Sequence, residues 1–205
     1  MTPHAPDSTA VRPRVEGDRE LEILAATLEV LADVGYDRLT MDAVATRAKA
    51  SKATLYRRWN DKASLVVDAL VVVKHSPEEP ADTGTLRGDL IASFCGMGGL
   101  TDQQGVATFA SVLTAISKDQ EFATAFRRDV LGPKIAATSA IYERARARGE
   151  IRDDVDLDLL APALAGVILH RFFLLGEQPT EDVIVRVIDQ IILPAATNCG
   201  RPGGQ

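Results

Sequence analysis

The sequence predicts an all-α fold of about nine helices, built as an N-terminal helix-turn-helix domain followed by a larger helical domain. Apolar residues recur every three or four positions through most of the chain, which is the period of helices that bury one face. β-branched residues fall inside these patterns rather than in alternating runs, and no two-residue hairpin turn is present. Glycine, proline and N-cap residues separate the apolar segments, as is typical of helix ends.

Composition divides the chain into five parts. Residues 1–17 carry three prolines among small and charged residues and are predicted to be a disordered arm; residues 198–205 are predicted to be a disordered tail. A polar, proline-marked segment at 76–84 predicts a linker. It separates an N-terminal domain at 18–75 from a C-terminal domain at 85–197.

The N-terminal domain is predicted to hold four helices. The first, 18–34, has one apolar stripe and ends where Gly35 can take a positive φ. The next two are short, and they begin after Thr40 and Ser51, both favoured N-cap residues. A fourth helix follows the break at Asn60 and Asp61.

Five longer helices are predicted beyond the linker. Their approximate ranges are 86–97, 102–117, 119–148, 156–175 and 180–193. Gly132 and Pro133 predict a kink inside the third of these, since proline interrupts the helical hydrogen bonds. Asp156 and Thr180 are predicted N-caps, and Pro194 is predicted to follow the end of the last helix.

Composition excludes several classes of protein. Hydrophobic residues make up 46% and charged residues 25%, as in ordinary globular proteins. We expect no membrane span, because no apolar run approaches about 18 residues. Residues 1–19 lack the apolar core of a signal peptide, so a cytoplasmic protein is expected. Cys95, Cys199 and the three histidines are too scattered to predict a metal site, a disulfide framework or a cofactor.

Charge is unevenly distributed along the chain. The net charge is −6, yet seven basic and two acidic residues lie between Arg38 and Lys62. A basic stretch on an acidic chain predicts one face that meets phosphate. The two short helices within it have the order of a helix-turn-helix, whose second helix enters the DNA major groove. Leu55 and Trp59 are predicted to hold that second helix in place.

Three segments carry a family resemblance. They are TMDAVA at 40–45, AKASKATLYRRW at 48–59 and DKASL at 61–65. In order and spacing they resemble the helix-turn-helix of the tetracycline-repressor (TetR) family, over about residues 20 to 70. The sequence departs from that pattern at Lys49, where the family usually has glycine, and at Trp59, where phenylalanine is commoner.

The resemblance implies a DNA-binding surface. Base edges would be met by Lys52, Ala53, Thr54 and Arg57. Phosphates would be met by Thr40, Tyr56, Arg58 and Lys62, with Lys49 and Ser51 of the turn completing the set.

For the C-terminal half the resemblance implies ligand binding and dimerisation. A pocket for a small hydrophobic ligand is expected among Phe94, Met97, Phe109, Leu113, Phe126, Leu169, His170 and Phe173. A homodimer interface is expected from Leu164, Val167, Ile168, Arg171, Val183, Val187, Ile188 and Ile191. Two copies would reach successive major grooves, about 34 Å apart, on a palindromic operator of double-stranded DNA.

The sequence therefore predicts a homodimeric repressor released from its operator by a small apolar ligand. One alternative keeps the DNA binding but makes the C-terminal half a module that only dimerises or binds a protein partner. A third hypothesis, an all-α enzyme, finds no paired carboxylates, metal cluster or activated nucleophile in the sequence, so no enzyme is expected.

Overall fold

A computed structural model describes residues 16–73, 81–95 and 103–197, and within these ranges the chain forms helices and no strands. Most of the predicted arm, the predicted tail, Met97 and Cys199 lie outside the described residues. When segments joined by a π turn or by the two-residue turn at 161–162 are counted as one, the described ranges hold nine helices, which confirms the predicted fold class.

The N-terminal domain contains four helices. They are α1 (Glu16–Arg38), α2 (Met41–Arg47), α3 (Lys52–Arg58) and α4 (Lys62–Val73). The predicted caps of the two short helices are confirmed. Thr40 accepts a hydrogen bond from the backbone N–H of Ala43, and Ser51 accepts one from that of Thr54.

The end of α1 lies four residues beyond the predicted end at 34, and the helix is kinked at Gly35. Gly35 has φ 76° and ψ 165°, so its φ is positive as predicted, but its ψ lies outside the left-handed helical region. This conformation is open mainly to glycine. The kink turns the final residues of α1 away from the helix axis before α2 begins.

The next four helices are α5 (Leu86–Cys95), α6 (Gln103–Lys118), α7 (Gln120–Phe126) and α8 (Gly132–Ala147). At the place of the predicted kink, a π-helical turn, Arg127–Leu131, joins α7 to α8. Gly132 donates to the carbonyl of Arg127, five residues back. Pro133 follows in the first turn of α8. Because proline has no backbone N–H, it leaves no donor without an acceptor where the π turn ends.

The chain ends in α9 (Leu157–Leu160), α10 (Ala163–Leu175), α11 (Glu181–Val187) and α12 (Leu193–Ala196). A second π turn, Ile188–Ile192, joins α11 to α12. The prediction that the last helix stops before Pro194 was therefore wrong. Proline is tolerated in the first turn of the segment that follows the π turn, so the helix continues to Ala196.

Two hydrophobic cores organise the described residues. The first core contains buried side chains of α1 to α4 together with α6, α7 and the first π turn. The second core contains buried side chains of α5 and of α8 to α12. The helices of the predicted helix-turn-helix therefore share their core with α6 and α7, which follow the predicted linker in the sequence.

The helical stretch Leu157–Leu175 is long and apolar enough to resemble a membrane-spanning helix. By length and composition alone it could cross a membrane, and only 22% of its most apolar window is buried within the protein. The expectation that no apolar run reaches this length was wrong. A single such helix is weak evidence for a membrane, because helices in protein interfaces also have this composition.

Candidate nucleic-acid interface

The crossing of α2 and α3 rests on a small buried core. Val44 and Leu55 are completely buried, and Trp59 directly after α3 is 2% exposed. The indole N–H of Trp59 donates to the Asp68 carboxylate of α4 at 2.8 Å. This hydrogen bond fixes the end of α3 to α4, so the family departure at Trp59 adds a polar anchor that a phenylalanine lacks.

The turn between α2 and α3 has an unusual backbone. Lys49 has φ 52°, which is the left-handed conformation that the glycine common in the family adopts easily. Arg19 of α1 donates to the carbonyl of Lys49 at 2.7 Å and pairs with Glu22 at 2.5 Å. Sequence reasoning missed Arg19, because nothing in the local pattern shows that the start of α1 lies beside this turn.

The outward face of α3 carries most of the predicted base-contacting residues. Lys52, Ala53, Tyr56, Arg57 and Arg58 are exposed, and Thr54 is half-buried because it bonds to Ser51. The Arg57 guanidinium has no hydrogen-bond or ion-pair partner among the described residues. It is therefore available to DNA without breaking a contact.

Other cations of this surface are already paired within the protein. The Lys52 ammonium lies 2.5 Å from the Asp42 carboxylate, and Arg58 lies 3.2 Å from that of Glu20. Arg47 bridges Asp33 and Glu29, at 2.7 and 3.1 Å. The hydrogen bond to Asp42 raises the pKa of Lys52. Carboxylates of α1 and α2 thus neutralise part of the positive charge of the basic stretch.

Lys62, a predicted phosphate contact, already has partners within the protein. Its ammonium donates to the carbonyl of Tyr36 at 3.0 Å and lies 4.3 Å from the centre of the Tyr36 ring. Both contacts draw the half-buried side chain into the protein, so in the free chain Lys62 packs α4 against the end of α1, and its phosphate contact stays a prediction.

Tyr36 also joins the helix-turn-helix to the C-terminal half. Its hydroxyl donates to the Asp119 carboxylate at 2.7 Å, and its ring lies 4.7 Å from that of Phe122. Asp119 caps α7 by accepting from the backbone N–H of Phe122 at 2.9 Å. That bond and the one from Tyr36 lower the pKa of Asp119. The start of α7 is thereby held against the end of α1.

Among the described residues, the predicted pocket positions divide between the two cores, an aromatic stack and the surface. Phe94 packs on the second core and Phe126 on the first, while Phe109 stacks on Phe173 with ring centres 5.5 Å apart. Leu169 is half-buried, and Leu113 and His170 are exposed. His170 lies on the side of α10 that faces away from the buried side chains, so its place in an apolar pocket stays a prediction.

The predicted dimer interface is also rearranged. Four of its members, Leu164, Ile168, Val187 and Ile188, are buried in the second core of the same chain. Val167, Arg171 and Val183 are half-buried, and Ile191 is exposed. The apolar side chains that remain at this surface are Leu159, Leu174, Leu175 and Ile191, from 45% to 74% exposed. Part of the apolar pattern of these helices therefore serves packing within one chain, and the dimer interface stays a prediction.

Two family models match the chain. Residues 23–69 match the bacterial regulatory proteins of the tetR family, and residues 80–191 match the tetracyclin repressor-like C-terminal domain. An uncharacterized HTH-type transcriptional regulator of Mycobacterium tuberculosis is 37% identical over 87% of this chain and 88% of its own length. The DNA-binding transcriptional repressor TetR of Mycobacteroides abscessus is 36% identical over 85% of this chain and 92% of its own.

Solved structures agree with these matches. A TetR family transcription regulator superposes with a TM-score of 0.67 at 27% identity, covering 87% of this chain and 98% of its own. A TetR-family regulator from Mesorhizobium loti shares the fold with a TM-score of 0.61 at 20% identity, covering 84% and 92%. The matched families and relatives are transcription regulators rather than enzymes. The chain belongs to the TetR family of DNA-binding, helix-turn-helix transcription regulators.

Proposed function

We propose that this regulator is a homodimeric repressor that binds a palindromic operator and is released by a small ligand with an apolar body. The observation that carries the dimer is the apolar stretch α9–α10, which is largely uncovered in one chain. A second copy packed on Leu159, Leu174 and Leu175 would remove this surface from water. Two-fold symmetry of the protein then favours a two-fold symmetric DNA site.

The proposed DNA contacts follow the exposed face of α3. Arg57 would bind a guanine edge through two hydrogen bonds, and the methyl groups of Ala53 or Thr54 would contact a thymine methyl. Thr40, Tyr56 and Arg58 would contact phosphates, and Lys52 would meet DNA after leaving Asp42. Lys49 and Ser51 lie at the turn before α3, and they would contact the same DNA phosphate backbone.

Repression with release requires a ligand that prefers a state with displaced recognition helices, because equal binding to both states shifts nothing. The helix α4 packs against α1 and also against α7. It therefore connects the DNA-binding helices to the segment that continues into α8. The name of the Mycobacteroides abscessus relative, a transcriptional repressor, supports the direction of control.

Two measurements test the proposal. Sedimentation equilibrium at micromolar concentration should give twice the 22.0 kDa chain mass. Selection of bound fragments from random DNA should recover a palindrome whose half-site centres are about 10 base pairs, or a multiple of that, apart. A stable monomer, or an operator without two-fold symmetry, would contradict the proposed assembly.

A second candidate keeps the dimer and the operator but has no ligand. The scattered positions of the predicted pocket residues favour it. Under this alternative no small molecule changes operator affinity, so transcription changes when the regulator is deleted and not when a ligand is added. A fluorescence-polarisation screen with a labelled operator separates the two candidates, since release by any compound would exclude the ligand-free one.

A further inference from the structure

The inward face of α8 carries polar groups that the fold does not use. Its buried residues Ile141, Tyr142 and Ala145 define the side that faces the second core. One or two turns earlier, Lys134 and Thr138 lie on the same side, at the three- and four-residue spacing of one helix face. We call Lys134, Thr138 and Tyr142 the α8 polar face.

Among the described residues, the Tyr142 hydroxyl has no hydrogen-bond partner. The side chain is 0% exposed, and its oxygen is buried without a hydrogen bond. Burial raises the pKa of Tyr142 to about 12, so the group stays a neutral donor. Leaving a hydroxyl unpaired inside a protein is unfavourable, and native proteins rarely do so without a reason.

The Lys134 side chain is also partly withdrawn from water, and it carries a full charge. It is half-buried, and burial alone lowers its pKa, with no carboxylate or other acceptor contributing. Among the described residues the ammonium has neither an ion pair nor a hydrogen bond. A cation withdrawn from water without a counter-charge is a ready site for an anion.

The α8 polar face begins between the two cores. Along the segment from α7 to α8, the first core ends at Val130 and the second core begins at Ile141. Lys134 and Thr138 belong to neither core. A molecule bound here would therefore lie where the two cores meet, on the helix whose beginning, α7, packs against α4.

We propose that the α8 polar face is the ligand site of this regulator and takes a small organic anion with an apolar body. Lys134 binds the anionic group, and Thr138 and Tyr142 hydrogen-bond further oxygen atoms along a stretch of about 12 Å. The inference deepens the ligand-controlled repression proposed above, yet it concerns binding and does not need DNA for its test.

Titration calorimetry of the full chain with three probes of equal chain length tests this site. Sodium octanoate, 1-octanol and octylamine share an apolar tail and differ in the charge of the head group. We expect octanoate to bind at least about ten-fold more tightly than octanol, and octylamine to bind least. Lys134→Met should abolish the preference for octanoate and leave octanol binding unchanged. Tyr142→Phe should weaken octanoate binding about three-fold or more.

Lys118→Met is the matched control, since Lys118 is exposed and already pairs with Asp37 at 2.5 Å. It should bind octanoate like the unaltered chain. Thermal unfolding of the free protein gives a second readout: Lys134→Met and Tyr142→Phe should unfold at the same or a higher temperature, because neither group has a partner to lose.

Equal binding of octanoate and octanol would overturn the proposal, as would full octanoate binding by Lys134→Met. Loss of folding in either variant would also overturn it, by giving these groups a structural role. If octanoate binds through Lys134 but a labelled operator stays bound, the site stands and ligand-controlled release fails instead.

Discussion

At the scale of single residues, Arg57 is the side chain most available for reading DNA. It is exposed on α3 and has no partner among the described residues. We expect Arg57→Ala to lose discrimination at one base pair of each half-site, by about ten-fold or more, while binding to random DNA changes little. Competition binding with single-base operator variants measures this. Arg152→Ala, which removes an arginine paired with Asp154 in the C-terminal half, is the control.

A uniform loss of affinity for all sequences would contradict this role for Arg57. It would instead place the guanidinium on phosphate, where a contact carries no sequence information.

The turn at Lys49 gives a second prediction at this scale. A lysine with φ 52° is strained, and glycine would relieve the strain while gaining freedom in the unfolded chain. We expect Lys49→Gly to raise the free energy of unfolding by about 0.5–1 kcal/mol. Arg19→Met should lower it by about 1 kcal/mol, because the bond to the Lys49 carbonyl is lost. Urea denaturation measures both changes.

The two substitutions at this turn should also interact. With glycine at position 49 the turn keeps its shape more easily, so Arg19→Met should cost less operator affinity than it does beside lysine. Arg38→Met removes a similar bond, to the Val34 carbonyl at 3.0 Å, away from the turn. The effect of that control on operator affinity should not depend on residue 49. If Arg19→Met lowers operator affinity equally with lysine and with glycine at position 49, Arg19 does not act through the turn.

At the scale of helices, the sequence predicted the caps and missed the bonds between elements. Thr40, Ser51 and Thr180 cap helices as predicted, because a cap depends on residues within one turn. The π turn after Val187 was missed, since a one-residue shift in hydrogen bonding leaves the apolar pattern almost unchanged. The pairs Glu20–Arg58 and Tyr36–Asp119 could not be predicted, because they depend on how distant helices pack.

A buried carboxylate ties the beginning of α5 to the end of α8. Asp89 is 0% exposed, accepts from the backbone N–H and hydroxyl of Thr83 at 2.6 and 2.7 Å, and pairs with Arg148 at 3.1 Å. Burial raises the pKa of Asp89, but the bonds from Thr83 and Arg148 outweigh it and lower the pKa overall. Since the folded pKa is depressed, the stabilisation is present above the ordinary aspartate pKa and is lost as the pH falls through the folded value.

We therefore expect Asp89→Asn to lower the free energy of unfolding at pH 7 by about 2–3 kcal/mol, since Arg148 loses a buried partner. The difference from the unaltered protein should shrink as the pH falls from about 5 to 2. Urea denaturation across this range measures it. Asp153→Asn, at an exposed position, should have the same stability as the unaltered protein at every pH. If the stability difference caused by Asp89→Asn is the same at all pH values, protonation of Asp89 does not contribute to acid unfolding.

At the scale of the whole molecule, the uncovered face of α10 predicts how assembly and DNA binding depend on each other. Leu174 is 74% exposed. We expect Leu174→Asp to give a monomer at micromolar concentration and to lower operator affinity at least about 100-fold, because each monomer then binds one half-site alone. Light scattering and operator titration measure the two effects. Leu131→Asp, at an exposed leucine of the first π turn, should remain a dimer.

The ion pairs on the recognition surface have a consequence for how the regulator finds its operator in a chromosome. Glu20 and Asp42 occupy Arg58 and Lys52 as phosphates would, so random DNA must displace a carboxylate at each encounter. The protein should leave wrong sites quickly and spend more of its search time in motion. Glu20→Gln with Asp42→Asn should therefore tighten binding to random DNA, whose affinity comes almost entirely from phosphate contacts, and steepen its salt dependence by up to about two counterions. Unchanged binding to random DNA would show that these pairs open without cost.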